Sequence, residues 1–277
     1  MPIISVIIPF FNSGSFLIEA MESVRQQSLS DWELILVNDG STDRSIEDAK
    51  KYVSIDSRIR LIEHPGGKNK GTSASRNLGA RVARGTYLAN LDHDDYFEPI
   101  KLQSQLVTLE EDSSLAMTFG PMRFWYNWEK AEREDGHQEF TFVVPAIFDA
   151  PLFIPKLLSG DNDPHGYLIR KSVFDSVRGY EECVSFCEDW SLYFKVMCRF
   201  RVHVSKSSLY RYRKHARQIS HSAMADGSYY GRFQDFFDFA IKYLEARGEE
   251  EQIMSEVMKY AQKFYKLHEA QQISKLT

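Results

Sequence analysis

The sequence predicts an α/β protein with a mostly parallel central sheet flanked by helices and a helical C-terminal extension. Two observations carry this. Through the first 125 residues, short apolar runs alternate with segments of helical periodicity, the signature of repeated βα units. The last fifty or so residues, counted against ordinary helix lengths, hold two amphipathic stripes without strand signals.

Ile3 to Ile8 reads as a strand buried on both faces, and Phe16, Leu17, Ala20, Met21 and Val24 then recur at helical spacing. Leu34 to Val37 is a second buried strand, closed by the turn formers Asn38 to Asp43, with Thr42 as N-cap of a helix to Val53. Arg58 to Glu63 is a more polar third strand. A Gly/Lys loop, a helix over Ser75 to Ala83 and a strand over Thr86 to Leu91 complete the fourth unit. After Met117 to Trp125 the pattern loosens into a charged insertion, Glu129 to Glu139. Beyond it come a short helix at Pro151 to Leu158, a strand at Tyr167 to Arg170, a helix from Glu188 to Phe200, and strands at Val202 to Val204 and Leu209 to Arg213. Tyr229, Phe233, Phe236, Phe237, Ala240 and Leu244 form one terminal stripe, and Ile253, Val257, Tyr260, Ala261, Phe264 and Leu267 the other. Glu249 to Glu251 and Lys259, Lys263 and Lys266 suit the dipole of the last helix. These two helices read as a cap on the core or a homodimer face, with a membrane-surface or acceptor-protein contact as the other option.

A chain of 277 residues can bury a full core without disulfide or metal staples. Its net charge of −5 argues against a nucleic-acid partner, so phosphate binding has to be local. Cys183, Cys187 and Cys198 match neither a CxxC motif nor a zinc site and read as reduced thiols packed in helices. The apolar start lacks a basic flank and a cleavage site, and no window reaches the ~18 apolar residues of a membrane span, so a cytoplasmic location is expected.

In a parallel sheet the loops after the strands open on one edge, where ligands bind. Asp39 and Asp92-His93-Asp94-Asp95 fall there. Three carboxylates in four positions repel one another unless a cation or donors neutralise them, which points to Mg²⁺ or Mn²⁺ held with substrate phosphates. Asp39 can accept from a base imide or a ribose hydroxyl, or act as a turn aspartate. Gly66 and Gly71 have P-loop spacing, but Thr72 stands where the lysine is required. Arg76 can reach a phosphate with forked donors, or lie at the surface. Glu188 and Asp189 open a helix whose Trp190, Phe194 and Met197 repeat on one face; Asp189 facing the cleft would serve as general base. His215, in Tyr212-Arg213-Lys214-His215 ahead of Ser220-His221-Ser222, is a candidate metal ligand or phosphate donor.

In order, Ser5 to Asn12 (SVIIPFFN), Ile35 to Asp43 (ILVNDGSTD), Ala74 to Gly79 (ASRNLG), Gly85 to Asp95 (GTYLANLDHDD) and Cys187 to Trp190 (CEDW) resemble the family 2 glycosyltransferases with the GT-A fold, over most of residues 3 to 215. The resemblance implies a metal-dependent inverting transferase that moves a sugar from a nucleotide-diphospho-sugar, most often UDP-linked, to a hydroxyl of a glycan or lipid-linked acceptor. It implies that Pro9 and Asn12 line the nucleotide pocket, Asp39 holds the base, Asp92 contacts the ribose, Asp94 and His215 serve the metal, and Asp189 is the base. Arg76 and His93 complete the donor set, although His93 stands where the family usually has a small residue. Glu188 is able to exchange roles with Asp189, Asp95 reads as a structural neighbour, and Asp163 to Gly166 as part of an acceptor loop. The expected organisation is residues 1–225 as the transferase unit (1–125 for the nucleotide sugar, 126–225 for the acceptor) and 226–277 as the helical extension, working at the cytoplasmic face of a membrane. A non-catalytic sugar-nucleotide-binding scaffold is the alternative; a nucleotidylyltransferase would need a Gly-rich N-terminal loop that is missing here.

Overall fold

The computed structural model describes residues 1–126, 136–137, 140–160, 164–216, 218–248 and 251–273. Three βα units and a fourth strand open the chain: β1 (Ile4–Phe10) and α1 (Phe16–Arg25), β2 (Trp32–Asn38) and α2 (Ser45–Ile55), β3 (Ile59–Glu63) and α3 (Thr72–Val82), then β4 (Tyr87–Asn90). They lie in the order β3-β2-β1-β4, all parallel. The short β5 (Tyr96–Phe97) and α4 (Lys101–Glu111) follow, then β6 (Leu115–Gly120), β7 (Met122–Trp125), β8 (Gly136–His137), β9 (Ala146–Phe148), α5 (Ile154–Leu158), β10 (His165–Arg170) and α6 (Lys171–Ser176). The remaining elements are α7 (Glu188–Met197), β11 (Arg201–Val204), β12 (Tyr210–Arg213), α8 (Ile219–Ala225), α9 (Gln234–Arg247) and α10 (Glu251–Ile273).

Among the described residues the main sheet continues past β4 as β10-β6-β11-β9, with β10 antiparallel to both β4 and β6. A second sheet, β5-β12-β7-β8, stands beside it. The apolar run over Met117 to Trp125 divides between two strands in different sheets. Pro121 separates β6 from β7, and it lacks the N–H that a continuing ladder would use.

Strand alternation sorts the core onto the two faces of the main sheet. Val6, Ile8, Phe10, Leu34 and Leu36 pack with α1 and α4 residues such as Leu17, Met21, Leu102 and Leu106. Ile7, Ile35, Val37 and Leu88 belong to the cluster that includes Trp190 and Phe194 of α7. The terminal stripes join that second cluster: Phe236, Phe237, Ala240 and Leu244 of α9 and Ile253, Val257, Ala261 and Phe264 of α10 are buried there. Each buried Phe or Leu contributes about 1.5–3 kcal/mol relative to exposure. The helices are therefore a cap on the core, and the stripe expected as a dimer face is already covered by the chain's own side chains.

Smaller corrections follow from local chemistry. The α2 start is held by Asp43, whose carboxylate accepts from the N–H groups of Ser45 and Gly14 at 3.0 Å each; Thr42 stands before the cap and donates to Asn12. Of the three free cysteines only Cys198 is buried, and Cys183 is exposed in the turn before α7. Helix α4 has no counterpart in the expected elements. The insertion at residues 129–139 lies almost wholly outside the described residues, as do Asp163, Glu249 and Glu250.

Candidate active site

Near the end of β1, Pro9 is buried in the strand. Pairing of β1 with β4 stops at Ile7, so Pro9 needs no N–H on that edge. Phe11 follows, 45% exposed, and Asn12 turns the chain at φ 49°, a left-handed conformation that Asn tolerates better than most side chains. The Asn12 carbonyl oxygen accepts from the N–H groups of Thr42 (2.8 Å) and Asp43 (3.3 Å), tying the β1 and β2 ends together.

At the end of β2, Asp39 is almost fully buried and its two oxygens accept from the N–H groups of Lys70 (2.7 Å) and Gly71 (2.9 Å). This aspartate thus clamps the Gly-rich loop ahead of α3, a task the sequence reading did not give it. Gly40 makes the clamp possible: at φ 83°, an added Cβ would sit 2.8 Å from the Asn69 nitrogen and 2.9 Å from the Gly67 oxygen, both backbone atoms. Gly40→Ala is expected to displace the loop and lower stability by about 1–3 kcal/mol, read as a fall in the urea midpoint.

The carboxylates after β4 have three different partners. Asp92 accepts from Arg76 Nη2 at 2.5 Å. Asp94 Oδ2 lies 2.9 Å from His215 Nε2, which arrives from 121 residues away and packs against the Phe16 ring. Burial pushes the Asp94 pKa up, but neighbouring His93 and the hydrogen-bonded His215 outweigh it and hold the carboxyl below its usual range. His93 itself is half-buried in the turn. Asp95 is fully buried, accepting from Tyr210 Oη (2.6 Å) and the Arg213 N–H (2.8 Å); burial, then Asp94 and Asp92, drive its pKa well above the usual carboxylate range. It fastens this turn to β12, the structural part expected of it.

Two of these partners escaped the sequence reading. Arg213, 0% exposed, donates from Nε to the Asp94 backbone oxygen (2.7 Å) and from Nη2 to Glu19 (3.0 Å), with Trp125 stacked 4.3 Å away. Tyr210 abuts Gly166, where φ is 57° and a Cβ would lie 2.4 Å from the tyrosine ring. The alternation Tyr-Arg-Tyr-Arg in β12 carries no mark of which arginine is interior.

The other wall is the start of α7, reached through Cys187 at φ 50°. Glu188 accepts from Arg76 Nη1 at 2.9 Å; burial pushes its pKa up to about 7, with Arg76 opposing and Asp189 and Asp92 adding to the rise. Asp189 accepts from the Trp190 N–H through Oδ1 and lines a small cavity with Arg76, Asn90, Asp92, Tyr167 and Tyr180. In its depth Asn90 Nδ2 donates to the hydroxyls of Tyr167 and Tyr180, which also bond each other; burial raises the Tyr167 pKa to about 12. Nothing in the spacing of these tyrosines distinguishes them from core aromatics. Arg76 departs from its expected use: it is 5% exposed and its two terminal nitrogens are engaged by carboxylates, so no fork is turned outward to a phosphate. His221 is exposed in α8.

Among the described residues no three His, Cys, Asp or Glu side chains group to hold a metal ion. The donor pair Asp94–His215, one hard oxygen and one imidazole nitrogen, still fits Mg²⁺ or Mn²⁺, because such cations keep waters and take phosphate oxygens for the rest of their shell.

The family model described as "Glycosyl transferase family 2" matches residues 5–178, the stretch that contains β1 to β10 and most of these groups. The chain belongs to glycosyl transferase family 2. It is 45% identical over 102 residues to the uncharacterized glycosyltransferase EpsJ of Bacillus subtilis (strain 168), covering 37% of this chain and 29% of that protein. It is 26% identical over 196 residues to the chondroitin synthase of Escherichia coli, covering 70% of this chain and 26% of the synthase. The chain thus spans less than a third of either relative's length. Among solved structures, S. aureus TarS 1-349 in complex with UDP-GlcNAc superposes with a TM-score of 0.69 at 19% identity, over 97% of this chain and 72% of that one. That likeness establishes the GT-A glycosyltransferase fold.

Proposed function

We propose that this family 2 glycosyltransferase moves a sugar from a UDP-sugar to a hydroxyl of a glycan or lipid-linked acceptor, with inversion at the anomeric carbon. The observation that carries the reading is a cavity lined by both Asp92 and Asp189 at the start of α7, with the Asp94–His215 pair two residues along the turn from Asp92. The UDP-GlcNAc bound in the TarS neighbour and the name of the chondroitin synthase among the relatives support the donor and acceptor classes.

In this reading the exposed Phe11 ring offers a face for the base, and Asp39 serves base recognition through the loop it clamps. Asp92, oriented by Arg76, meets the ribose. Asp94 and His215 hold Mg²⁺ or Mn²⁺, which when bound supplies positive charge to the departing diphosphate. Asp189 accepts the proton of the acceptor hydroxyl as its oxygen bonds to the anomeric carbon and the bond from that carbon to the diphosphate oxygen breaks, releasing UDP. Residues 1–225 form the transferase unit and 226–277 the helical extension. No helix among the described residues is long and apolar enough to cross a membrane, and work at a cytoplasmic membrane face belongs to this proposal.

A panel of nucleotide sugars with and without Mn²⁺, read by thermal shift and by UDP release, tests it. One UDP-sugar is expected to stabilise the protein only with the metal and to be turned over. Stabilisation without turnover against any glycan or lipid-linked acceptor would favour the binding scaffold.

A further inference from the structure

We propose that Arg76 is a positioning residue that ties Asp92, on the donor side of the crevice, to Glu188 on the acceptor side and thereby fixes the aim of the adjacent Asp189. The proposal rests on the transferase reading above. A single guanidinium joins residues 16 and 112 positions away in the chain, at 2.5 Å to Asp92 and 2.9 Å to Glu188. Its plane lies beside the Tyr180 ring, 5.2 Å from the centroid, and Tyr180 is itself held by Asn77, which follows Arg76 in α3 and both accepts from the Tyr180 N–H (2.9 Å) and donates to its carbonyl (3.0 Å).

Three features separate this from a phosphate-binding arginine. The side chain is 6% exposed, and both terminal nitrogens point to carboxylates of this chain. Arg76 Nε is buried without a hydrogen-bond partner, so the guanidinium is oriented by the two carboxylates at the expense of its third donor. Glu188 and Asp189 are consecutive in the first turn of α7, entered through the left-handed Cys187, so holding one carboxylate restricts the backbone that aims the other. A lysine at 76 keeps the charge but has no planar fork with which to bridge two carboxylates at fixed separation. The charged groups facing Glu188 are Arg76 from α3, Asp92 from the end of β4 and Asp189 on its own helix.

The test uses Arg76→Lys, Glu188→Gln and the double variant of the full chain, with UDP affinity from calorimetry in Mn²⁺ and steady-state turnover of the UDP-sugar that the wild type uses. Arg76→Lys is expected to weaken UDP binding by no more than about tenfold, through Asp92, and to lower kcat by about a hundredfold, the cost of a small misalignment of reacting groups. The double variant is expected to be no slower than Arg76→Lys alone, since both remove the same bridge. Wild-type kcat should rise with pH through about 7 as Glu188 ionises against Arg76, and that limb should be missing in Glu188→Gln, which also serves if Arg76→Lys fails to fold. A loss of UDP affinity in Arg76→Lys with kcat kept would make Arg76 a donor-binding residue and overturn the proposal. So would unchanged kcat in both single variants. A wild type that turns over no nucleotide sugar overturns the transferase reading and this proposal with it.

Discussion

Asp189→Asn should stop sugar transfer while leaving UDP binding intact. Removal of a general base typically costs a factor of about 10²–10⁴ in rate, and asparagine retains the oxygen that accepts from the Trp190 N–H at 3.0 Å, so the first turn of α7 keeps its geometry. The measurement is UDP release under single-turnover conditions beside calorimetric UDP affinity. Turnover within tenfold of wild type would remove Asp189 as the base and move that role to Glu188, the neighbouring carboxylate whose pKa is raised to about 7.

The second large effect is expected from Asp94→Ala. The Asp94 backbone oxygen stays held by Arg213 Nε at 2.7 Å, and the turn stays fastened through Asp95, so the fold should survive. The variant loses the carboxylate whose Oδ2 lies 2.9 Å from His215 Nε2. Mn²⁺-dependent stabilisation by UDP should vanish, and transfer should fall about a thousandfold, equivalent to several kcal/mol of charge stabilisation on the leaving group. Wild-type UDP affinity that is the same with and without Mn²⁺ would overturn the metal assignment for Asp94 and His215.

Much of the crevice was legible because its chemistry is written at strand ends. Asp39, Asp92 and Asp94 follow runs of apolar residues too regular to be anything but buried parallel strands, and βα topology sends the ends of such strands to one edge. His215 was readable as a partner because histidine suits a carboxylate and a cation alike, and the structure brings it to Asp94. Direction was harder to read. The residue type of Arg76 predicts a fork but not what the fork grips, and only the fold reveals that Glu188 lies within its reach. Asn90, Tyr167 and Tyr180 carry no signal because a tyrosine whose hydroxyl bonds another in the interior has the same spacing as one packed for its ring. Helix α4 was hidden for a related reason: Lys101 and Gln105 lie on its buried face, Lys101 donating to Gln105 at 2.6 Å, so polar residues interrupt the stripe that periodicity seeks.

The antiparallel insertion of β10 between β4 and β6 has a mechanical consequence. One sheet runs from strands β3-β2-β1-β4 through β10 to β6 and β11, with register shifts at His165/Leu168 and Arg201/Val202, and parts of a sheet joined by ladders resist swinging against each other. Freedom to move then belongs to segments that no ladder restrains. The Gly-rich loop that Asp39 clamps is the foremost of these, with Gly66, Gly67 and Gly71 all at positive φ. Removing the Asp39 carboxylate would loosen this loop at Lys70 and Gly71 while the sheet beneath it kept its ladders.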